Sequence, residues 1–189
     1  MSKYEGPIAP TQLLDLLATR QSERQYLPTP IAPDAMRRIM EAARLAPSAC
    51  NAQPWHFVIV DDPERKNQVA DAAAGKVIGI NHWTKQAPVI IVVVQEKANL
   101  TSRIGTLVKG TQFPSYDVAI AVAHLCLQAT TEGLGTCIIG WFNRRGIKKL
   151  LGIPKQKVVP LLVVLGHPAG AQREKKRKPL ADIVSHNAY

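Results

Sequence analysis

The chain of 189 residues is long enough for one substantial core and short for two, and its 46% hydrophobic and 20% charged residues are ordinary for a soluble globular protein. Met1–Pro7 has no apolar centre, which argues against a secretory signal, and the apolar run from Ala87 to Val94 is far too short to span a bilayer. The formal net charge of +10 asks for an anionic partner: nucleic acid, an anionic surface or a phosphorylated small molecule.

In chain order, residues 1–9 read as a flexible lead-in and Pro10–Thr19 as a short helix, apolar at Leu13, Leu14, Leu16 and Leu17. Pro28 and Pro30 forbid helix. A second helix is expected from Pro33 to about Ala46, with Met36, Ile39, Met40, Ala43 and Ala46 on one face, and Pro47 stops it. Trp55–Val60 reads as a strand and Pro63 to about Ala74 as a third helix, while Gly75–Gln86 has no clear assignment. Pro88–Val94 is β-branched on both faces, as expected of a central strand. Residues 96–114 lack a period and read as a long surface excursion of the kind that carries function.

Ser115 is the expected cap of a long helix, Tyr116–Glu132, closed by Gly133. Its stretch Val118–Leu127 is apolar nearly all round, so it should be buried on several sides, at the domain centre or against another subunit. Leu134–Trp141 reads as a short strand, Arg145–Leu151 as a small helix, and Val158–Gly166 as a buried strand whose Pro160 places its start at an edge. With no repeat and no long linker, residues 1–189 are read as one α+β domain. Three cysteines without metal-ligand spacing suit a reduced, cytoplasmic compartment.

Several chemistries are absent. Ser48 lacks the Gly-x-Ser-x-Gly turn of an exposed nucleophile, Cys50 has no defined histidine partner, and His124 on the apolar helix reads as a core histidine. No cluster has zinc or two-metal spacing. Gly133-Leu134-Gly135 begins like a dinucleotide fingerprint but lacks the third glycine and follows a helix, so a Rossmann site is rejected. What remains for phosphate is Arg20-x-Ser22-x-Arg24, two guanidiniums and a hydroxyl on one side of an extended segment, or else a frayed helix end whose arginines complement the dipole. The turn Pro47-Ser48-Ala49-Cys50-Asn51-Ala52-Gln53-Pro54 joins helix to strand and offers polar donors for the rim of a flat cofactor.

Together these blocks resemble the nitroreductase family of FMN-dependent oxidoreductases. Arg20-x-Ser22-x-Arg24 is followed by Pro47-Ser48-Ala49-x-Asn51-x-Gln53-Pro54-Trp55-x-Phe57, then by Gly133-Leu134-Gly135 running to Ile139-Gly140-x-Phe142, then by Leu151-Gly152-Ile153-Pro154 and the ending from Leu165 to Val184. The resemblance implies a nitroreductase-like α+β fold, with a mainly antiparallel central sheet flanked by helices in an intertwined homodimer whose FMN sites lie at the interface. It implies that Arg20, Ser22 and Arg24, with Lys175 and Arg177, hold the FMN phosphate. Pro47, Ser48 and Ala49 would pack on the flavin of the other subunit, Asn51 and Gln53 would sit near the flavin's polar edge, and Ile139 and Gly140 would pass the ring near N5.

The implied activity moves hydride from NAD(P)H through FMN to nitroaromatic, quinone or similar acceptors by a ping-pong cycle. The flavin carries the chemistry and no side chain acts as acid or base. Gln21 and Glu23 depart from the family pattern, and Glu23 would weaken the phosphate site if it faced inward; Cys50 stands where Ser or Thr is common. Two other readings stay open: flavin binding without turnover, and an anion-binding module using the run Arg173–Lys178, which holds five of the 24 lysines and arginines. That run has no interleaved aromatics, so nucleic acid is not the expected partner, and with no bilayer-spanning apolar run neither is a membrane.

Overall fold

In the computed structural model of the chain, residues 9–74, 80–97 and 113–189 are described. Their elements are α1 (Pro10–Thr19), α2 (Pro33–Arg44), β1 (Trp55–Val60), α3 (Pro63–Ala74), β2 (Val89–Gln95), α4 (Phe113–Thr131), β3 (Gly135–Ile139), α5 (Arg144–Leu150) and β4 (Val158–Gly166). Short 3₁₀ turns add Ala49–Asn51, His82–Gln86 and Leu180–Asp182. The lead-in and most of the excursion expected over residues 96–114 lie outside the described residues.

The strands form an antiparallel sheet in the order β1-β2-β4-β3, as expected of an α+β fold. Strand alternation sends Ile90, Val92 and Val94 into one core with α3 and α5, and Val89, Ile91 and Val93 into a second core with α2 and α4. β2 is therefore buried on both faces, as its unbroken β-branched run requires. Burying each such Val or Ile contributes about 1.5–3 kcal/mol relative to leaving it exposed.

Proline starts α1, α2 and α3, where its missing N–H is one the helix leaves unbonded anyway. α2 ends at Arg44, two residues before the predicted end. α4 begins at Phe113, so Ser115 lies inside its first turn and does not cap it; Pro114 is tolerated there, and the Ser115 hydroxyl donates to Gln95 Oε1 at 3.3 Å. Gly133 ends the helix in the left-handed region at φ +70°, with its N–H on Thr130 O and that of Leu134 on Ala129 O. α4 is not buried all round: Tyr116 and Ile120 are exposed on one face, and His124 is half-buried rather than in the core.

β4 is interior along Leu162–Gly166, but Val158–Leu161 has β2 on one side only, which is where Pro160 sits. A register shift between Val93 and Gln95 on β2 faces the same stretch. Asn143 caps α5, its Oδ1 accepting from Gly146 N at 2.9 Å.

Candidate functional site

The segment after α1 is held against the sheet from two sides. Ser22 bridges Thr136 in parallel, Glu23 N donates to Thr136 O at 2.9 Å, and Leu27 N donates to His167 O at 2.9 Å. Tyr26 anchors it: its buried hydroxyl donates to Glu23 O at 2.9 Å, and its ring stacks on Trp83 with centroids 6.2 Å apart. Burial, with Cys137 and Glu23 nearby, pushes the Tyr26 phenol far up, so it stays a neutral donor.

Glu23 does not face the expected phosphate position. It is 3% exposed, and its Oε1 accepts from the backbone N–H groups of Arg24 (2.8 Å) and Gln25 (3.0 Å). Its Oε2 accepts from Gln21 Nε2 at 3.1 Å. Gln21 passes the connection on, with Oε1 accepting from Arg173 N (3.1 Å) and Nε (3.2 Å), and Nε2 also reaching Ala171 O at 3.2 Å. The two departures from the family pattern thus form one relay that ties the C-terminal segment to the segment after α1.

Other contacts fasten the same seam. Arg173 Nη2 donates to Ser22 O, Gln172 Nε2 to Thr19 O at 3.1 Å, and Lys175 Nζ to Leu17 O at 2.7 Å and Arg20 O at 2.5 Å. The result is a concavity of about 340 Å³ that Arg20, Ser22, Arg173, Lys175, Lys176 and Arg177 help to line. Desolvation, then the charges of Arg20 and Arg177, lowers the Lys175 pKa, so an anion between these groups would relieve their repulsion. Arg24 is not in this lining. Burial pushes the Cys137 thiol up, opposed chiefly by the nearby positive charges of Arg24 and Arg20.

The turn between α2 and β1 holds three non-glycine residues in the left-handed region: Cys50 (φ 52°), Asn51 (φ 51°) and Gln53 (φ 45°). Such conformations cost about 1–2 kcal/mol each, less for Asn, and persist where the surroundings impose them. Ser48 Oγ accepts from Gln53 N at 3.0 Å, and Gln53 Nε2 donates to Asn51 Oδ1 at 3.0 Å, leaving both amides at the exposed end of the turn. From α4, Asp117 Oδ1 accepts from Ala49 N at 3.0 Å, while its buried Oδ2 has no partner among the described residues. Sequence reasoning passed over Asp117; its signal was a lone acid in an apolar helix.

β3 links two of these features. Thr136, near its start, adjoins the basic concavity, and Gly140 follows its last residue, Ile139. Four residue steps along the strand separate Thr136 from Gly140, about 13 Å at the usual rise. Among the described residues a Cβ on Gly140 would meet only Leu161 Cδ2, at 4.0 Å, so none of them crowds the backbone there. Arg144 donates to Gly140 O and Val159 O, both at 3.1 Å, and Trp141 is 71% exposed beside it. Ile139 is buried beneath.

Within one chain, then, Arg20, Ser22, Lys175 and Arg177 meet at one concavity, Ile139 and Gly140 lie at the far end of the adjoining strand, and Arg24 lies outside the lining. Among the described residues no hydrogen bond joins the Pro47–Gln53 turn to the basic concavity, and no group of three or more His, Cys, Asp or Glu side chains could hold a metal. No described helix is long and apolar enough to cross a membrane.

Known proteins resemble this chain in sequence and fold. The chain is 30% identical over 191 residues to a protein of Thermus thermophilus named NADH dehydrogenase, spanning 87% of this chain and 91% of that one. It is 30% identical to the FMN reductase (NAD(P)H) of Bacillus subtilis, spanning 94% and 74%. The crystal structure of a nitroreductase family protein from Clostridium novyi superimposes with a TM-score of 0.71 at 30% identity, over 86% of this chain and 88% of that one. The profile of the Nitroreductase family matches residues 17–167, which hold all four strands and the Arg20–Ser22 side of the basic concavity, and the chain belongs to that family.

Proposed function

We propose that the protein is an FMN-dependent oxidoreductase that takes hydride from NAD(P)H and delivers it to nitroaromatic, quinone or similar acceptors. The observation that carries this reading is the placement of a basic concavity and an open glycine at the two ends of β3. That is the layout a phosphate joined to a flat ring by a short chain needs. FMN, when bound, supplies the hydride-accepting ring. Arg20, Arg177 and Lys175 offer charge-assisted donors to its phosphate, and Ser22 adds a hydroxyl. Gly140 lets the main chain approach closely and presents an N–H where the ring's N5 would lie.

The turn Pro47–Gln53 serves the same site from a second copy in this reading. Pro47, Ser48 and Ala49 would pack on the neighbour's flavin, and Asn51 and Gln53 would offer amides to a polar edge. Exposed apolar side chains support the homodimer: Leu13, Leu14 and Leu17 on α1, Tyr116 and Ile120 on α4, and Leu180, Ile183 and Val184 beyond the last strand. Donor and acceptor would use one cleft in turn, which predicts ping-pong initial-rate patterns.

The test is purification followed by anaerobic titration with NADH and NADPH. The protein should be yellow, and at least one nucleotide should bleach the flavin band. A yellow protein that neither bleaches would leave flavin binding without turnover as the function. Arg20→Ala should weaken FMN binding by about 1.5–3 kcal/mol, the value of a hydrogen bond to a charged group. Unchanged affinity in that variant would put the phosphate elsewhere.

A further inference from the structure

The net charge of +10 has two sources. Residues 144–157 contain six lysines and arginines and no acid, and Arg173–Lys178 contains five against one glutamate; the rest of the chain is neutral in sum. The second run builds the basic concavity described above. The first touches the proposed flavin site only through Arg144, which holds the Gly140 carbonyl, and the rest of it needs its own account.

α5 and the turn after it line a separate concavity of about 930 Å³, where Arg144, Arg145, Lys148, Lys149 and Lys155 stand with no carboxylate among them. Lys148 and Lys149 complement the helix dipole from the last turn, but Arg145 and Lys155 do not. Arg144–Lys148 and Arg145–Lys149 are like-charged pairs at four-residue spacing, which destabilise a helix unless an anion relieves them. Lys148 Nζ is spent on Lys155 O at 3.0 Å, and Arg144 on Gly140 O and Val159 O. The side chains of Arg145, Lys149 and Lys155 engage no hydrogen bond or ion pair among the described residues.

Two further observations say which anion. The stripe begins at Arg144, whose guanidinium holds the carbonyl of Gly140, so it starts at the position assigned to the flavin ring and runs outward along about 10 Å of helix. Trp141, 71% exposed, follows Gly140 directly and precedes the stripe in the chain. A free aromatic surface followed by free cations suits a nucleotide, a ring joined to phosphates.

We propose that the α5 stripe binds the phosphorylated adenosine end of the nicotinamide donor, so that the enzyme takes NADPH in preference to NADH. The inference rests on the reductase reading above. The two donors share a diphosphate, and NADPH adds a 2′-phosphate of about −1.5 to −2 charge, for which Arg145 and Lys149 are the free partners.

Adenosine 2′,5′-bisphosphate and 5′-AMP, titrated calorimetrically into the FMN-loaded protein, test this without turnover. The bisphosphate should bind about tenfold or more tightly than AMP, the worth of one charge-assisted hydrogen bond, and Arg145→Ala/Lys149→Ala should abolish the difference. In the same variant the ratio of kcat/KM for NADPH to that for NADH should fall by a similar factor, with FMN content retained. Equal binding of the two probes, a difference that survives in the variant, or an unchanged NADPH/NADH ratio would overturn the proposal. So would retention of mixed-sequence duplex DNA by the stripe without binding of the bisphosphate. If neither nucleotide bleaches the flavin yet the probes differ as expected, the reductase reading fails and the phosphate site stands.

Discussion

Glu23→Ala removes a buried carboxylate that accepts two backbone N–H groups and the Gln21 amide. Gln21 Nε2 keeps Ala171 O as an acceptor, and Arg24 and Gln25 are themselves exposed, so water can reach the released N–H groups. The net value of the two backbone bonds therefore applies rather than the full cost of stranding the donors, giving about 3 kcal/mol at 1.5 kcal/mol each. For a chain of this size that corresponds to about 6–12 °C in Tm. Glu23→Gln keeps an oxygen for the two N–H groups but turns an NH₂ on Gln21 Nε2. Gln21 cannot flip in answer, because Arg173 holds its Oε1 with two donors. That variant should lose about 1–1.5 kcal/mol, with the cost appearing also as looser docking of residues 171–175 and weaker FMN retention. The assay is thermal melting of the flavin-free protein, paired with FMN fluorescence titration for each variant. If Glu23→Ala melts within about 1 °C of the wild type, the relay contributes nothing and the reasoning fails.

Gly166→Ala would place a Cβ 2.6 Å from Pro88 Cδ and 3.0 Å from Tyr26 Cδ1, ring atoms that cannot swing aside. A loss of about 1–3 kcal/mol in urea unfolding is expected, and an unchanged midpoint would show that β4 shifts freely there. Asp117→Ala strands the Ala49 N–H and should cost about 1–3 kcal/mol, whereas Asp117→Asn keeps an acceptor and should cost less; the reverse order in melts would contradict the role given to Asp117. Arg38 holds Glu132 through two hydrogen bonds of 2.7 and 2.6 Å and lowers its carboxyl from 4.5 to about 2. A depressed carboxylate stabilises above its unfolded value, so this bond between α2 and the end of α4 holds at neutral pH and is lost as pH falls from about 4.5 to about 2. The Tm gap between wild type and Glu132→Gln should close across that window, and a gap that persists below it would refute the assignment.

Much of the fold was legible because local chemistry and tertiary context agree. Pro10, Pro33 and Pro63 start helices, Gly133 ends one, and the β-branched run Val89–Val94 is the buried central strand. Where they compete, the reading slipped. Ser115 looked like a cap, but Pro114 fits the first turn of a helix already begun. Pro160 correctly marked a strand side without a neighbour, though β4 is interior beyond it. In the candidate site, Arg20, Ser22, Lys175 and Arg177 converge as their motifs suggested. Arg24 is not in the lining of that concavity, and its charge lies near Cys137 on β3. Glu23 could not be assigned from spacing, since whether an acid faces a ligand or its own backbone depends on what surrounds it. Here Gly135 and Gly170 make the room: a Cβ on either would fall within 3.0 Å of its side chain.

The strand order carries a consequence for how the protein reaches this state. β2 pairs with β4 only after α4, β3 and α5 have been made, and the segment bearing Arg20 and Ser22 is fixed by Thr136 and then by residues 167–175. These are long loops to close, and their entropy must be met before any contact repays it. The basic concavity joins segments 152 residues apart, so loop closure predicts that it forms late. It cannot serve as a template on which the sheet assembles. An anionic cofactor would meet a finished sheet and act as its latch, slowing its opening far more than it speeds its folding.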